Sequence, residues 1–375
     1  MKSTLRGLGI WVPAMMATGC GGDPSQRSTG VAEWSLSPVA LVQPQEAPFG
    51  RVADLELGED GSLFVLDAIS RTIRVFGEDG VEVREFGRRG QGPGEFEQPG
   101  ALLWGPEGDL WVLDLRDGRL TAFSPEGELR GTHRPADLPI LFPFAVGFSG
   151  PDTLRWVGIS SPDPANPAAA WVETEIRDGS FRPVEQVALP FVEWPLLFRH
   201  RDEETALVLP VPHSGEPLFA FDPEGRLWYN YSGKAPLSRW STSGDLELTF
   251  SPRLAPTPLT AMEREEALAR EELAEVRERL GEAAMSELES LIPEYRPYYA
   301  GFFFDDESLL WVMRSQATES EQRTVDVYGV DGARRATATT ALAAVPRPRV
   351  RSGLVAGVMR DALGVESVAV FRIVR

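Results

Sequence analysis

A seven-residue run, Gly61-Ser62-Leu63-Phe64-Val65-Leu66-Asp67, returns as Gly108-Asp109-Leu110-Trp111-Val112-Leu113-Asp114, with 47 residues between the first leucines of the two runs. A fixed period constrains a chain more than its composition does, because each unit must be one supersecondary block that buries its apolar face against its neighbours. Weaker copies follow at Thr153-Leu154-Arg155-Trp156-Val157, Gly225-Arg226-Leu227-Trp228-Tyr229, Ser308-Leu309-Leu310-Trp311-Val312 and Gly353-Leu354-Val355-Ala356-Gly357-Val358. The six copies are spaced by 47, 44, 73, 83 and 44 residues, so two of the intervals carry insertions.

Within the first unit, Val52 to Leu57, Ser62 to Leu66, Thr72 to Phe76 and Val81 to Phe86 read as four short strands. Asp60-Gly61 and Asp79-Gly80 separate apolar runs, and Asp-Gly is a hairpin signal because glycine accepts the positive φ of a tight turn. Four short strands at a period in the forties predict propeller blades. The fold class is therefore all-β, a six-bladed β-propeller. The last unit runs out after three strands, at Val365 to Val374, while Glu33 to Val42 is a strand-like segment with no blade of its own. The expectation is that this segment completes the last blade and removes an exposed sheet edge.

Asp67 and Asp114 close a strand, Arg71 and Arg119 precede the next, and a glycine-rich connector runs from Phe86 to Phe96. These units resemble NHL repeats over residues 49 to 133, and the whole chain resembles the bacterial six-bladed β-propeller lipoproteins that share the repeat. The resemblance implies a fold more than a function. Asp67 and Asp114 are expected to accept hydrogen bonds from turn N–H groups. Trp111, Trp156, Trp228 and Trp311 are expected to pack between blades.

The longer interval predicts a helical insertion over 259–292, between blades 4 and 5. Thr260-Ala261-Met262-Glu263 has capping-box spacing. Met262, Ala269, Leu273, Val276, Leu280 and Ala283 fall on one stripe, with Glu266/Arg270 and Glu275/Arg279 as ion pairs outside it. Gly281 is expected to divide the helix and Pro293 to end it. A helix joining an outer strand to an inner one lies over or beside the channel mouth, so its stripe rests on the propeller as a lid, on the rim, or on a second molecule.

At the start of the chain, Lys2 and Arg6 precede an apolar stretch from Leu8 to Ala17, shorter than the ~20 residues a spanning helix needs. Ala17-Thr18-Gly19-Cys20 resembles the lipobox of bacterial lipoproteins, and Cys20 is the only cysteine, which excludes an intramolecular disulfide. The reading is a signal peptide over 1–19, lipidation at Cys20, a tether over 20–32 and a propeller over 33–375. The protein is then exported to the cell envelope and lipid-anchored in the outer membrane, facing the periplasm or the cell surface. A net charge of −19 disfavours nucleic acid as a partner and leaves the lipid anchor as the only membrane contact.

No HExxH, GxSxG, P-loop or Cys/His cluster is present, so no catalytic residue, metal site or cofactor is assigned. The three histidines, His133, His200 and His213, read as surface or loop residues. Calcium-dependent lactonases also use six-bladed propellers, with carboxylate and Asn ligands, but this chain has only Asn166 and Asn230. The connectors entering the innermost strands carry Phe49, Arg88, Phe142, His213, Arg296, Tyr298 and Arg349, a set suited to an anionic or peptide-like ligand. The expected function is a binding or scaffold module for a protein, a peptide or a small anionic ligand. The alternative is a hydrolase or lyase with its site in the central channel.

Overall fold

The computed structural model describes residues 31–43, 48–161, 163, 167–201, 206–252, 254–316, 322–361 and 363–375; Cys20 and Asn166 lie outside them. Six antiparallel blades follow one another. Blade 1 is Val52–Leu57, Leu63–Asp67, Thr72–Phe76 and Glu82–Phe86; blade 2 is Pro99–Trp104, Leu110–Asp114, Arg119–Phe123 and Leu129–Pro135. Blade 3 is Phe142–Gly150, Thr153–Ile159, Ala169–Arg177 and Ser180–Ala188; blade 4 is Pro217–Phe221, Leu227–Tyr231, Leu237–Trp240 and Leu246–Phe250. Blade 5 is Tyr299–Phe304, Leu310–Arg314, Arg323–Tyr328 and Arg334–Thr340, and blade 6 is Arg349–Arg351, Leu354–Arg360, Glu366–Val374 and Ser35–Val42. Val52–Leu57 touches both Pro99–Trp104 and Arg349–Arg351, so the innermost strand of blade 1 meets its neighbours in blades 2 and 6 and the ring is closed.

Burial explains the strand pattern. Leu63–Asp67 and Thr72–Phe76 are buried at every position, because neighbouring blades cover both faces of a middle strand. The outer strand Glu82–Phe86 is mostly exposed. Each fully buried Leu or Val contributes about 1.5–3 kcal/mol, and such residues recur in every inter-blade layer.

The repeated aspartates serve the backbone. Asp67 accepts from the N–H groups of Gly50, Ile69 and Ser70 at 2.8, 2.8 and 3.3 Å, and Asp114 accepts from Glu97, Gln98 and Arg116 at 2.7, 3.0 and 3.1 Å. Arg119 beside it is buried and reaches the carbonyls of Gln91 and Glu95, which pins the connector to blade 2. The tryptophans pack between blades: Trp111 lies 5.2 Å from Phe148 and Trp228 5.4 Å from Phe304. In blades 4 and 5 the indole N–H also donates to an aspartate six residues upstream in the turn, Trp228 to Asp222 at 3.0 Å and Trp311 to Asp305 at 2.8 Å.

Ser35–Val42 pairs antiparallel with Glu366–Val374, from Ser35 opposite Val374 to Val42 opposite Val368. Glu33 departs from the expectation. Ala32–Glu33 adds instead to the outer strand of blade 5, parallel to it, with Glu33 opposite Thr337. Between the two pairings the chain pivots on Trp34, whose ring is buried 5.8 Å from Trp311 and lies under the guanidinium of Arg375.

The two long intervals hold separate devices. A hairpin, Leu197–Arg201 with Ala206–Pro210, sits between blades 3 and 4. Helices α1 (Ala261–Leu268) and α2 (Glu271–Leu291) sit between blades 4 and 5. The capping box at Thr260 is present, with the hydroxyl accepting from Glu263 N and Glu263 accepting from Thr260 N. The helix breaks earlier than expected, at Ala269 and Arg270, so Arg270 becomes the N-cap of α2 and no Glu266–Arg270 pair forms among the described residues. Gly281, at φ 75°, then kinks α2. This second break re-phases the apolar stripe: Leu273, Val276 and Leu280 are continued by Ala284, Met285 and Leu288, whereas Met262 is 62% exposed and Ala283 points to solvent. The stripe packs on Phe198, Leu209 and Val211, so α2 leans on the hairpin insertion and not on a blade. No helix among the described residues is long and apolar enough to cross a membrane.

Candidate ligand cleft

The central channel is spanned by side chains from blade 6. Arg349 donates to Glu56 at 2.7 Å and to Asp54 at 2.8 and 3.0 Å, both on the innermost strand of blade 1. Asp54 also accepts from Leu102 N of blade 2 at 2.9 Å. Arg347 crosses the axis and donates to the carbonyls of Phe219 in blade 4 and Phe144 in blade 3, at 2.9 and 3.2 Å. Innermost strands present unpaired carbonyls to the channel, and Arg347 satisfies two of them. Burial and the neighbouring Arg349 push Arg347 down to about 10, so it remains cationic at neutral pH. Burial raises Glu56, with Arg349 drawing it back. Two cations thus meet two carboxylates in the channel, each with partners.

Above this plug lies a cleft on the face from which the innermost strands are entered. Its inner part is bordered by Ser232, Tyr299, Gln316, Arg323, Val345 and Arg360, from blades 4, 5 and 6. Its outer part is a cavity of about 760 Å³ between the hairpin and α2, walled by Leu207, Leu209, Val211, Leu273, Val276 and Leu280. His213, Ser214, Glu216 and Arg270 border both parts, so the two are continuous.

The charge of this cleft is opposite to that of the chain. Arg270, Arg279, Arg296, Arg323 and Arg360 line it, against one carboxylate, Glu216. Arg296 is held by Glu263 at 2.5 and 2.8 Å, and Arg360 by Glu366 at 3.0 Å. Arg270 is exposed, and its guanidinium makes no hydrogen bond or ion pair to any described residue. Glu216 is exposed at the cleft surface, and the protein atoms crowding it raise its carboxyl from the ordinary 4.5. Gln316 Oε1 is a buried acceptor without a donor among the described residues. His213 holds a left-handed φ of 58° at the junction, with its ring 3.4 Å from Glu263 O and its pKa lowered by burial. A left-handed histidine is uncommon and costs some strain.

Of the seven connector residues marked in the sequence, His213 and Arg296 come together in this cleft. Tyr298 lies beside it, donating its N–H to Ser232 O at 2.6 Å while its ring packs with blade 4 and 5 residues. Arg349 belongs to the channel plug. Phe49 is buried against Phe76, beneath Arg74. Arg88 is 78% exposed and pairs with Glu95 in its own connector, and Phe142 is exposed at the start of blade 3. Arg270 and Arg279 were read from the sequence only as ion-pair partners on the outside of the helix, and Glu216, Arg323 and Arg360 were not singled out, since they stand in connectors or at strand ends that carry no repeat. Among the described residues no group of three or more His, Cys, Asp or Glu side chains is placed to hold a metal ion. Of the other histidines, His133 packs tilted against Trp111 at 5.0 Å and His200 stacks 6.4 Å from Phe198.

A family model described as a six-bladed β-propeller (DUF5128) matches residues 35–143, the closing strand and the first two blades. No curated protein matches the chain. Among solved structures, a member of the DUF4221 family from Bacteroides vulgatus is 12% identical, covering 92% of this chain and 98% of that one at a TM-score of 0.54. A candidate exported protein from Bacteroides fragilis is also 12% identical, covering 92% and 97% at 0.50. A virginiamycin B lyase from Staphylococcus aureus is 10% identical over 90% of this chain and 88% of that one, at 0.40. At such identities likeness carries the fold alone, and the fold is a six-bladed β-propeller.

Proposed function

We propose that this protein is an exported, lipid-anchored binding module of the cell envelope that takes an anionic ligand in the cleft above its plugged channel. The carrying observation is the inversion of charge: five arginines and one carboxylate line the cleft of a chain whose net charge is −19. A concave site with convergent cations concentrates and orients an anion. Arg270 is the residue with donors to spare, and a guanidinium binds carboxylate or phosphate in two-pronged fashion. The channel-site alternative, a hydrolase or lyase, has less support, because the channel carboxylates Asp54 and Glu56 are already engaged by Arg349.

Isothermal titration of the full chain with a panel of small carboxylates and phosphates tests the reading. Arg270 is exposed, so Arg270→Glu leaves the fold intact while weakening anion binding by at least about tenfold. Glu216→Gln, which removes the opposing charge, tightens it. Equal affinities in wild type and Arg270→Glu, or no anion bound by the wild type, overturn the proposal.

A further inference from the structure

Resting on the anion-binding reading, we infer that the ligand is an amphiphile: a long-chain carboxylate whose head meets Arg270 and whose chain enters the cavity beneath α2. The cleft is divided by polarity along its length. The part over the ring offers Arg296, Arg323, Arg360, Ser232 and Gln316, while the part under the insertions offers Leu207, Leu209, Val211, Leu273, Val276 and Leu280, with Arg279 among them. Arg270 stands at the junction, where one guanidinium reaches a head group whose tail continues along the apolar walls.

The apolar walls touch where α2 leans on the hairpin and stand apart around the cavity. Elsewhere the same insertions pack tightly: Leu288 is fully buried, and Phe198, Ala284, Met285 and Ile292 belong to the same cluster. Interiors otherwise exclude such voids, since unfilled apolar lining forfeits its contacts. A cavity of about 760 Å³ falls within the range that small-molecule sites occupy. The arginines, most of them over the ring, fix the sign of the head group, and the apolar walls favour a chain without polar atoms. An aqueous dianion would satisfy the first feature and leave the second unused. A neutral lipid would do the reverse.

The test is a chain-length series on the full chain. Butanoate, octanoate, dodecanoate and tetradecanoate, each below its micelle concentration, are titrated alongside tetradecanol. The expected result is affinity rising roughly threefold per methylene until the cavity is filled. Tetradecanol should bind more weakly than tetradecanoate, by at least about tenfold. In Leu280→Gln, on the half-buried wall, the gain with chain length is cut, and a circular dichroism spectrum and thermal melt like those of the wild type show that the variant has folded. A flat series in which butanoate binds as well as tetradecanoate, dependent on Arg270, overturns the amphiphile and leaves the anion site standing. Binding of tetradecanol as tight as that of tetradecanoate overturns the role of the head group. If no carboxylate of any length binds, both the inference and the reading beneath it fall.

Discussion

Glu263 closes the capping box of α1 through Thr260 and holds Arg296 with both carboxylate oxygens, fixing one of the cleft arginines to the base of the insertion. The Arg296 guanidinium, with Thr260 adding its N–H and hydroxyl, holds the Glu263 carboxyl down at about 2, below its ordinary 4.5. Folding thus favours the ionised form. The stability this contributes is fully present above about pH 5 and is lost as pH falls from 4.5 through about 2. Glu263→Gln should cost about 2–4 kcal/mol at pH 7, since it also takes the carboxylate away from the part-buried Arg296 guanidinium. Urea unfolding of both forms should show the difference roughly halved by pH 3. A constant difference across that range would place the effect in packing and not in charge. His213 touches the same carboxylate's backbone, so the cleft junction and the helix cap form one local unit.

The closing segment shows what an element gains from two partners. Ser35–Val42 covers the edge of Glu366–Val374, and Ala32–Glu33 extends blade 5, with Trp34 wedged between. A chain beginning at residue 44 would expose a nine-residue strand edge in blade 6. Such a chain should self-associate in size-exclusion chromatography, and a peptide of residues 32–43 supplied in trans should restore the monomer. A monodisperse truncated chain would refute this role. The incomplete last repeat made the blade 6 pairing legible, because a three-stranded unit and an unassigned strand complement each other. The detour of Glu33 was not legible, since two residues carry no period. The cleft divides in the same way. Repeats located the blades and the two overlong intervals, but the walls of the cavity come from a hairpin and a helix pair that meet only in space. Leu209 and Leu273 belong to no common pattern, and the break at Arg270 follows no glycine or proline.

At the scale of the molecule, the proposed anchor at the lone Cys20 is tested by its removal. Cys20→Ser should move the protein from the detergent-soluble membrane fraction to the soluble one, or leave it unprocessed; a wild type that is already soluble would end the anchor proposal. The ring itself has two unlike faces. Ala32–Glu33 runs in the same direction as the outer strand of blade 5, from the side of the 329–333 turn toward the cleft side. The polypeptide therefore joins the ring from beneath, among turns bearing exposed Glu59, Asp60, Glu78, Asp79, Glu107 and Asp331. Should Cys20 carry the proposed lipid, the bowl would open away from the surface that holds it, and a ligand would reach the cleft from open solution.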